Sequence, residues 1–151
     1  MAPLTVSLVL YRPEPALLRA TLAALEVASR RADLQPDLFL IDNGGSAEAL
    51  AGLELPAGWT VHYIAGHGNV GFGCGHNLSL DGAGDVHLIL NPDLELAPDA
   101  LHQVDALVED LIDAGFDPLV DERELTIDLT PCAQATAQAA HREVLCQVHL
   151  E

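Results

Sequence analysis

Val86-His87-Leu88-Ile89-Leu90-Asn91-Pro92-Asp93 is the stretch on which the reading of the chain turns. Four of its first five residues are apolar, and the run then stops on two polar side chains separated by a proline. An apolar run this short, ended by a breaker, predicts a strand buried on both faces, as in a parallel sheet. Ligands of open α/β sheets bind just outside the carboxyl ends of the strands. Asn91 and Asp93 are expected at such an end, with Pro92 fixing the backbone between them.

Working outward, the preceding segments alternate between strand and helix signals. Residues 5–11 (Thr-Val-Ser-Leu-Val-Leu-Tyr) are rich in β-formers and are broken by Arg12-Pro13-Glu14-Pro15. From Ala16, the residues Leu17, Leu18, Leu22 and Leu25 recur near helical spacing, which predicts a helix packed on the sheet and fading at Arg30-Arg31. Residues 37–41 form a second strand, closed by the turn signal Asp42-Asn43-Gly44-Gly45. Ser46 is placed to cap a short helix through Leu53. Residues 59–64 read as a third strand. A glycine-rich run over residues 66–77 then leads into a short helix near Leu78. Alternating strands and helices imply a parallel, Rossmann-like α/β sheet with right-handed crossovers and helices on both faces. The expected spatial order is 3-2-1-4.

Beyond Asp93, Pro98 suits the first turn of a helix striped by Leu101, Val104, Leu107, Val108 and Leu111 and ended by Gly115. Residues 124–129 alternate and predict a strand with one wet face. The Ala-rich residues 133–150 predict a last helix. Two segments follow from this division, residues 1–101 and a helix-strand-helix unit over 102–151.

The chain has 151 residues, enough for one domain with a real core, and half of them are apolar. Its formal charge is −17, from 23 acidic residues and six arginines. Nucleic-acid binding needs a basic footprint, which is missing. The acid is denser in the tail: residues 1–100 carry net −8 and the last 51 carry net −9. No apolar run approaches the roughly 20 residues of a membrane helix. The start of the chain lacks the basic region of a signal peptide, so a cytoplasmic location is expected. Cys74, Cys132 and Cys146 form no C-x-x-C pair, which points to free thiols.

Three places offer chemistry. Asp42 ends the second strand, where a carboxylate accepts hydrogen bonds from ribose hydroxyls or a base N–H; an aspartate in a turn equally bonds its own backbone. Gly66, Gly68, Gly71, Gly73 and Gly75 let backbone approach a ligand closely, with Asn69 and Asn77 supplying amides. The same composition also suits a flexible surface loop. Asn91 and Asp93 are hard oxygen donors, of the kind that hold Mg²⁺ or Mn²⁺ together with a diphosphate; Asn-Pro is also a turn signal in its own right.

Order and spacing join these signals into a resemblance. The carrying motifs are Val6-Ser7-Leu8-Val9-Leu10-Tyr11, Ile41-Asp42-Asn43-Gly44-Gly45-Ser46, residues 68–77 (Gly-Asn-Val-Gly-Phe-Gly-Cys-Gly-His-Asn) and Leu88-Ile89-Leu90-Asn91-Pro92-Asp93. Residues 4 to about 101 resemble the N-terminal half of family 2 glycosyltransferases of the GT-A fold, especially the rhamnosyltransferase-like branch. The resemblance implies that Asp42 contacts the nucleoside of a nucleotide diphosphate-sugar of the UDP or dTDP type. It implies that Asn69, Gly71 and Asn77 line the sugar-diphosphate pocket, with Asn91 beside it, and that Asp93 stands where the family's acidic metal motif ends, holding Mg²⁺ or Mn²⁺. Asn91 departs from the usual first aspartate of that motif. The acceptor site and the catalytic base lie in the family's second half, which this chain does not resemble, so no base for the acceptor hydroxyl is placed.

The tail is similar to something else. Residues 111–118, 129–132 and 141–146 resemble the C-terminal region of winged-helix regulators of the ArsR/SufR-like kind. Some of these use its cysteines for an iron–sulfur cluster. Ala133-Gln134 stands in place of the usual Pro-Phe after the first cysteine, and no winged helix is present, so DNA binding does not carry over. Cys132, Cys146, His141 and His149 form either a metal site or packed thiols and surface histidines. A fusion inside the helix around residues 98–114 is the simplest account of the two half-resemblances. The strand at 86–90 would otherwise leave an exposed apolar edge, which the tail is expected to cover within the chain or in a homodimer. Three functions follow: a nucleotide-sugar-binding half incomplete for transfer, an engineered or chimeric α/β fold without a ligand, and a metal or iron–sulfur sensor built on the tail cysteines.

Overall fold

The computed structural model describes residues 4–84, 86–113, 125–128 and 145–150. Strand β1 (Leu4–Leu10) is followed by helix α1 (Pro15–Arg31), β2 (Asp37–Asp42), the short α2 (Ala47–Leu50) and β3 (Thr60–Ile64). Then come α3 (Phe72–Asn77), a 3-10 turn at Leu80–Gly82, β4 (Val86–Leu90), α4 (Ala100–Asp113), β5 (Leu125–Asp128) and β6 (Leu145–Leu150).

The strands form one sheet in the order β3-β2-β1-β4-β6-β5. The first four are parallel in the expected order 3-2-1-4. β1 is central to them and buried along its whole length. β6 runs antiparallel to β4, and β5 antiparallel to β6. The outer edge of β4 is therefore paired within the chain.

Side chains alternate across a strand, so each strand feeds two faces. On one face Leu4, Val6, Leu8 and Leu10 of β1 join Leu38, Leu40, Val86, Leu88 and Leu90 in the main core. Helix α1 lays Leu18, Leu22, Leu25 and Ala28 on that face at spacings of three and four residues. Pro15 opens the helix with its φ already helical, and Arg30 and Arg31 close it where cations favour the dipole. Ala49 of α2 and Ala100, Leu101 and Val104 of α4 complete this layer. The opposite face is covered by α3 and carries a smaller apolar group, Val9, Phe39 and Ile41. Helices thus lie on both faces. Gly75 brings α3 close, since a Cβ there would stand 2.7 Å from a Val9 methyl.

Several boundaries differ from expectation. Ser46 makes no side-chain cap, and α2 ends at Leu50 rather than Leu53. The hydroxyl is buried without a partner, so the helix has no donor–acceptor pair to nucleate on and stays one turn long. The helix expected near Leu78 starts earlier, at Phe72, because Gly71 with φ of +87° turns the chain into it. The last helix expected over 133–150 is overturned at its end, where Leu145–Leu150 is a strand. Cys146, Val148 and Leu150 recur with period two in the sequence, and the open edge of β4 offers backbone partners that an isolated Ala-rich segment lacks. The rest of that segment and Gly115 lie outside the described residues. Among the described residues, no helix is long and apolar enough to cross a membrane.

Candidate functional site at the carboxyl edge of the sheet

Chain direction away from β1 reverses between β1 and β4, the place where open α/β sheets bind ligands. Leu10 pairs in register with Asp42, and Leu8 with Leu90. Asp42 and the Asn91-Pro92-Asp93 turn therefore flank the end of β1 on opposite sides. With neighbouring strands about 4.8 Å apart, the two lie on the order of 10 Å from each other across the sheet.

Asp42 is half-buried. Its Oδ1 accepts from the Gly44 amide at 2.7 Å, and its Oδ2 accepts from the Tyr63 hydroxyl at 2.8 Å. Burial raises its pKa, but the surrounding donors Ser46, Tyr63 and Gly44 outweigh this and hold it below the ordinary aspartate value. Ser46 Oγ has no hydrogen bond of proper geometry, so the lowering rests on Tyr63 and on the backbone amides of Gly44 and Ser46. Tyr63 responds in the opposite sense: burial, then its bond to the Asp42 carboxylate and that carboxylate's charge, raise the phenol. Both aspartate oxygens keep a further lone pair for a ligand.

Asn43 organises the glycine loop, and sequence reasoning assigned it no role. It is 3% exposed, and its amide N–H donates to Leu10 O at 2.8 Å, which locks it to β1. Its Nδ2 donates to Gly71 O at 2.9 Å and lies 3.4 Å from Asn69 Oδ1. Its Oδ1 accepts from His67 Nε2 at 3.0 Å. Asn69 Oδ1 in turn accepts from the Gly71 amide at 3.0 Å. Asn69 and Gly71 are thereby brought to the end of β2, beside Asp42. Gly66, Gly68 and Gly71 all have positive φ, which the fold-back of this loop requires.

The other expected residues stand further along. Asn77 is the exposed last residue of α3. Asn91 is half-buried and Asp93 exposed. Their turn is tied to α1 through Thr21, whose Oγ1 lies 3.0 Å from Pro92 O. Among the described residues, no group of three His, Cys, Asp or Glu could hold a metal ion. Cys132 and His141 lie outside the described residues, while Cys146 and His149 fall in β6.

Beneath α3 lies a second constellation that sequence reasoning missed. His76 and His87 are 2% and 0% exposed. Ser7 Oγ bridges them, 2.7 Å from His76 Nδ1 and 2.9 Å from His87 Nε2. Thr5 Oγ1 lies 2.7 Å from His87 Nδ1, and Ser79 Oγ lies 3.3 Å from its Nε2. Burial, with the charge of His87 second, pushes His76 down to about 4, so the His76 ring is neutral at pH 7. The only warning in the sequence is period two: Thr5 and Ser7 alternate with Leu4, Val6 and Leu8.

A separate groove of about 260 Å³ runs between α1 and residues 52–56, lined by Leu22, Ala23, Leu53 and Leu55 among others. Arg19, Glu26 and Glu54 also line it, and it is apart from the carboxyl-edge residues.

No protein-family model matches the chain, and no curated protein matches it in sequence. Among solved structures the chain is similar to a 4-diphosphocytidyl-2C-methyl-D-erythritolsynthase from Anaerococcus prevotii DSM 20548. The identity is 13%, over 98% of this chain and 71% of that one, with a TM-score of 0.46.

Proposed function

We propose that the chain is the nucleotide-diphosphate-sugar-binding half of a glycosyltransferase-like protein, without a complete apparatus for transfer. The observation that carries this reading is the pinning of the glycine loop by Asn43, which sets Asn69 and Gly71 beside Asp42 at the topological switch point. Asp42 serves the nucleoside of a UDP- or dTDP-type ligand, and the loop together with Asn77 and Asn91 faces the sugar-diphosphate. Asp93 supplies one hard oxygen donor. Asp93 would hold a Mg²⁺ or Mn²⁺ ion, which would screen the diphosphate charge. Strands β5 and β6 extend the sheet, and the tail is not an acceptor site. The tail is a joined unit, with the joint inside α4, which runs unbroken from Ala100 to Asp113.

One observation favours a ligand-free scaffold instead: both Asp42 oxygens already accept bonds from within the chain. Calorimetric titration of UDP and dTDP, with and without Mn²⁺, separates the two readings. Metal-dependent binding, lost in Asp93→Ala and Asp42→Ala, is the expected outcome. A cooperatively melting protein that releases no heat with either nucleotide sinks the binding reading.

A further inference from the structure

The direction of every hydrogen bond around Asn43 can be assigned from chemistry alone. Gly71 O can only accept, so the group of Asn43 facing it, 2.9 Å away, is the NH₂. Asn69 Oδ1 takes the Gly71 amide and is an acceptor too, consistent with the same orientation. The Asn43 carbonyl oxygen therefore faces His67, and His67 Nε2 must carry the hydrogen that it accepts. In the neutral ring Nδ1 is then a lone pair.

That Nδ1 is buried and has no partner. A buried acceptor left without a donor is unusual and calls for an explanation. His67 also sits between Gly66 and Gly68, at φ of +88° and +72°, where an added Cβ would meet nothing within 4 Å. No side chain or backbone packs against the Cβ side of either glycine. A fixed tautomer, an unmet acceptor and two open glycine joints come together in one residue of the loop that Asn43 holds at the candidate site.

We propose that His67 Nδ1 accepts a hydrogen bond from a hydroxyl of the bound nucleotide-sugar, so that the loop selects ligands by that hydroxyl. This rests on the nucleotide-binding reading above. The donor must be neutral, because a lone pair repels phosphate oxygens. Hydroxyls of this kind come from the ribose or from the sugar attached to the diphosphate. The ligand hydroxyl donates the hydrogen bond that Nδ1 lacks in the unliganded chain, while Nε2–H stays on Asn43. Asn43, holding Nε2–H, is the positioning residue.

The test uses His67→Gln and His67→Asn on the full chain, each checked for cooperative melting. A Gln amide reaches the Nε2 position and keeps the bond to Asn43, but leaves nothing at Nδ1. An Asn amide places a polar atom near Nδ1 and gives up Asn43. Affinities for UDP, 2′-deoxy-UDP, 3′-deoxy-UDP and UDP-glucose are compared with Mn²⁺ present. If the ribose is read, the wild type prefers UDP over one deoxy analogue by about tenfold. His67→Gln then abolishes that preference while binding the deoxy analogue as before, and His67→Asn keeps part of it. If the attached sugar is read, the advantage of UDP-glucose over UDP disappears in His67→Gln instead. Unchanged ratios in His67→Gln, or an equal loss for all four ligands, overturn the inference while leaving nucleotide binding intact. A wild type that binds none of the four overturns both readings.

Discussion

On one face of the sheet, leucines and valines of β1, β2 and β4 meet three helices through apolar contacts, with Thr21 hydrogen-bonded to Pro92 O among them. On the other, the same β1 presents Thr5 and Ser7, and β4 presents His87, to a six-residue helix carrying His76. Burial is nearly complete on both sides. The apolar face gains stability in proportion to the area it hides and is indifferent to pH. The polar face gains little net stability per bond, and each group left unmet costs more than the bond contributed. It is the face that conditions can switch. Its hydrogen bonds also set the seat of α3, the helix into which the glycine loop leads.

The largest test of this contrast is Leu88→Ala on the apolar face, where the side chain is fully buried. Loss of about 3–4 kcal/mol in urea denaturation is expected, from lost transfer energy and the cavity left behind. A loss under about 1 kcal/mol would mean that the core is loosely packed and the contrast misdrawn.

Next comes acid. His76 has a folded pKa of about 4 against the ordinary histidine value of 6.5, so the unfolded chain takes up its proton first as pH falls. The contribution to stability is fully present at pH 7 and is lost as pH falls from about 6.5 to about 4. By pH 4 the difference is about 3 kcal/mol, since each pKa unit corresponds to about 1.4 kcal/mol. Urea midpoints measured between pH 7 and pH 4 should fall along this curve. His76→Asn should flatten it, and an unaltered slope in that variant would assign the acid sensitivity elsewhere.

Ser7→Ala removes the bridge between the two rings and with it one hydrogen bond to each. A loss of about 2 kcal/mol is expected with almost no cavity, so the effect reports hydrogen bonding rather than packing. Equal stability in Ser7→Ala would indicate that water replaces the hydroxyl. The smallest effect is Thr21→Val, which deletes the tie from α1 to Pro92 O. About 1 kcal/mol is expected, together with faster amide exchange in residues 91–93. That result would sharpen the comparison by showing that even the apolar face uses a hydrogen bond where it holds the turn at the site.

The four parallel strands were legible because each is a short run with its own breaker. The alternation of strand and helix leaves few topologies once crossovers are right-handed. β6 was not legible. Residues 133–144 read as helix formers, and local propensity carried the assignment past Val144 into a segment whose strand form depends on the edge of β4. The site was half legible. Asp42, Asn69 and Gly71 were singled out from their motifs, whereas Asn43, which ties the loop to the end of β2, and His67 were passed over as parts of turns. Nothing local distinguishes Asn43 from its neighbours. Its role comes from residues 24 to 28 positions away.

By itself, the sequence determined the α/β class, the parallel order 3-2-1-4 and the presence of glycines where the loop must turn, because these depend on periodicity and on backbone freedom. Tertiary structure alone decided that β6 closes the edge of β4, that two histidines share one serine under α3, and that Asn43 pins the loop by its side chain. Each of these is a pairing between distant residues. A hydrogen bond depends on distance and angle, and neither is written in local composition.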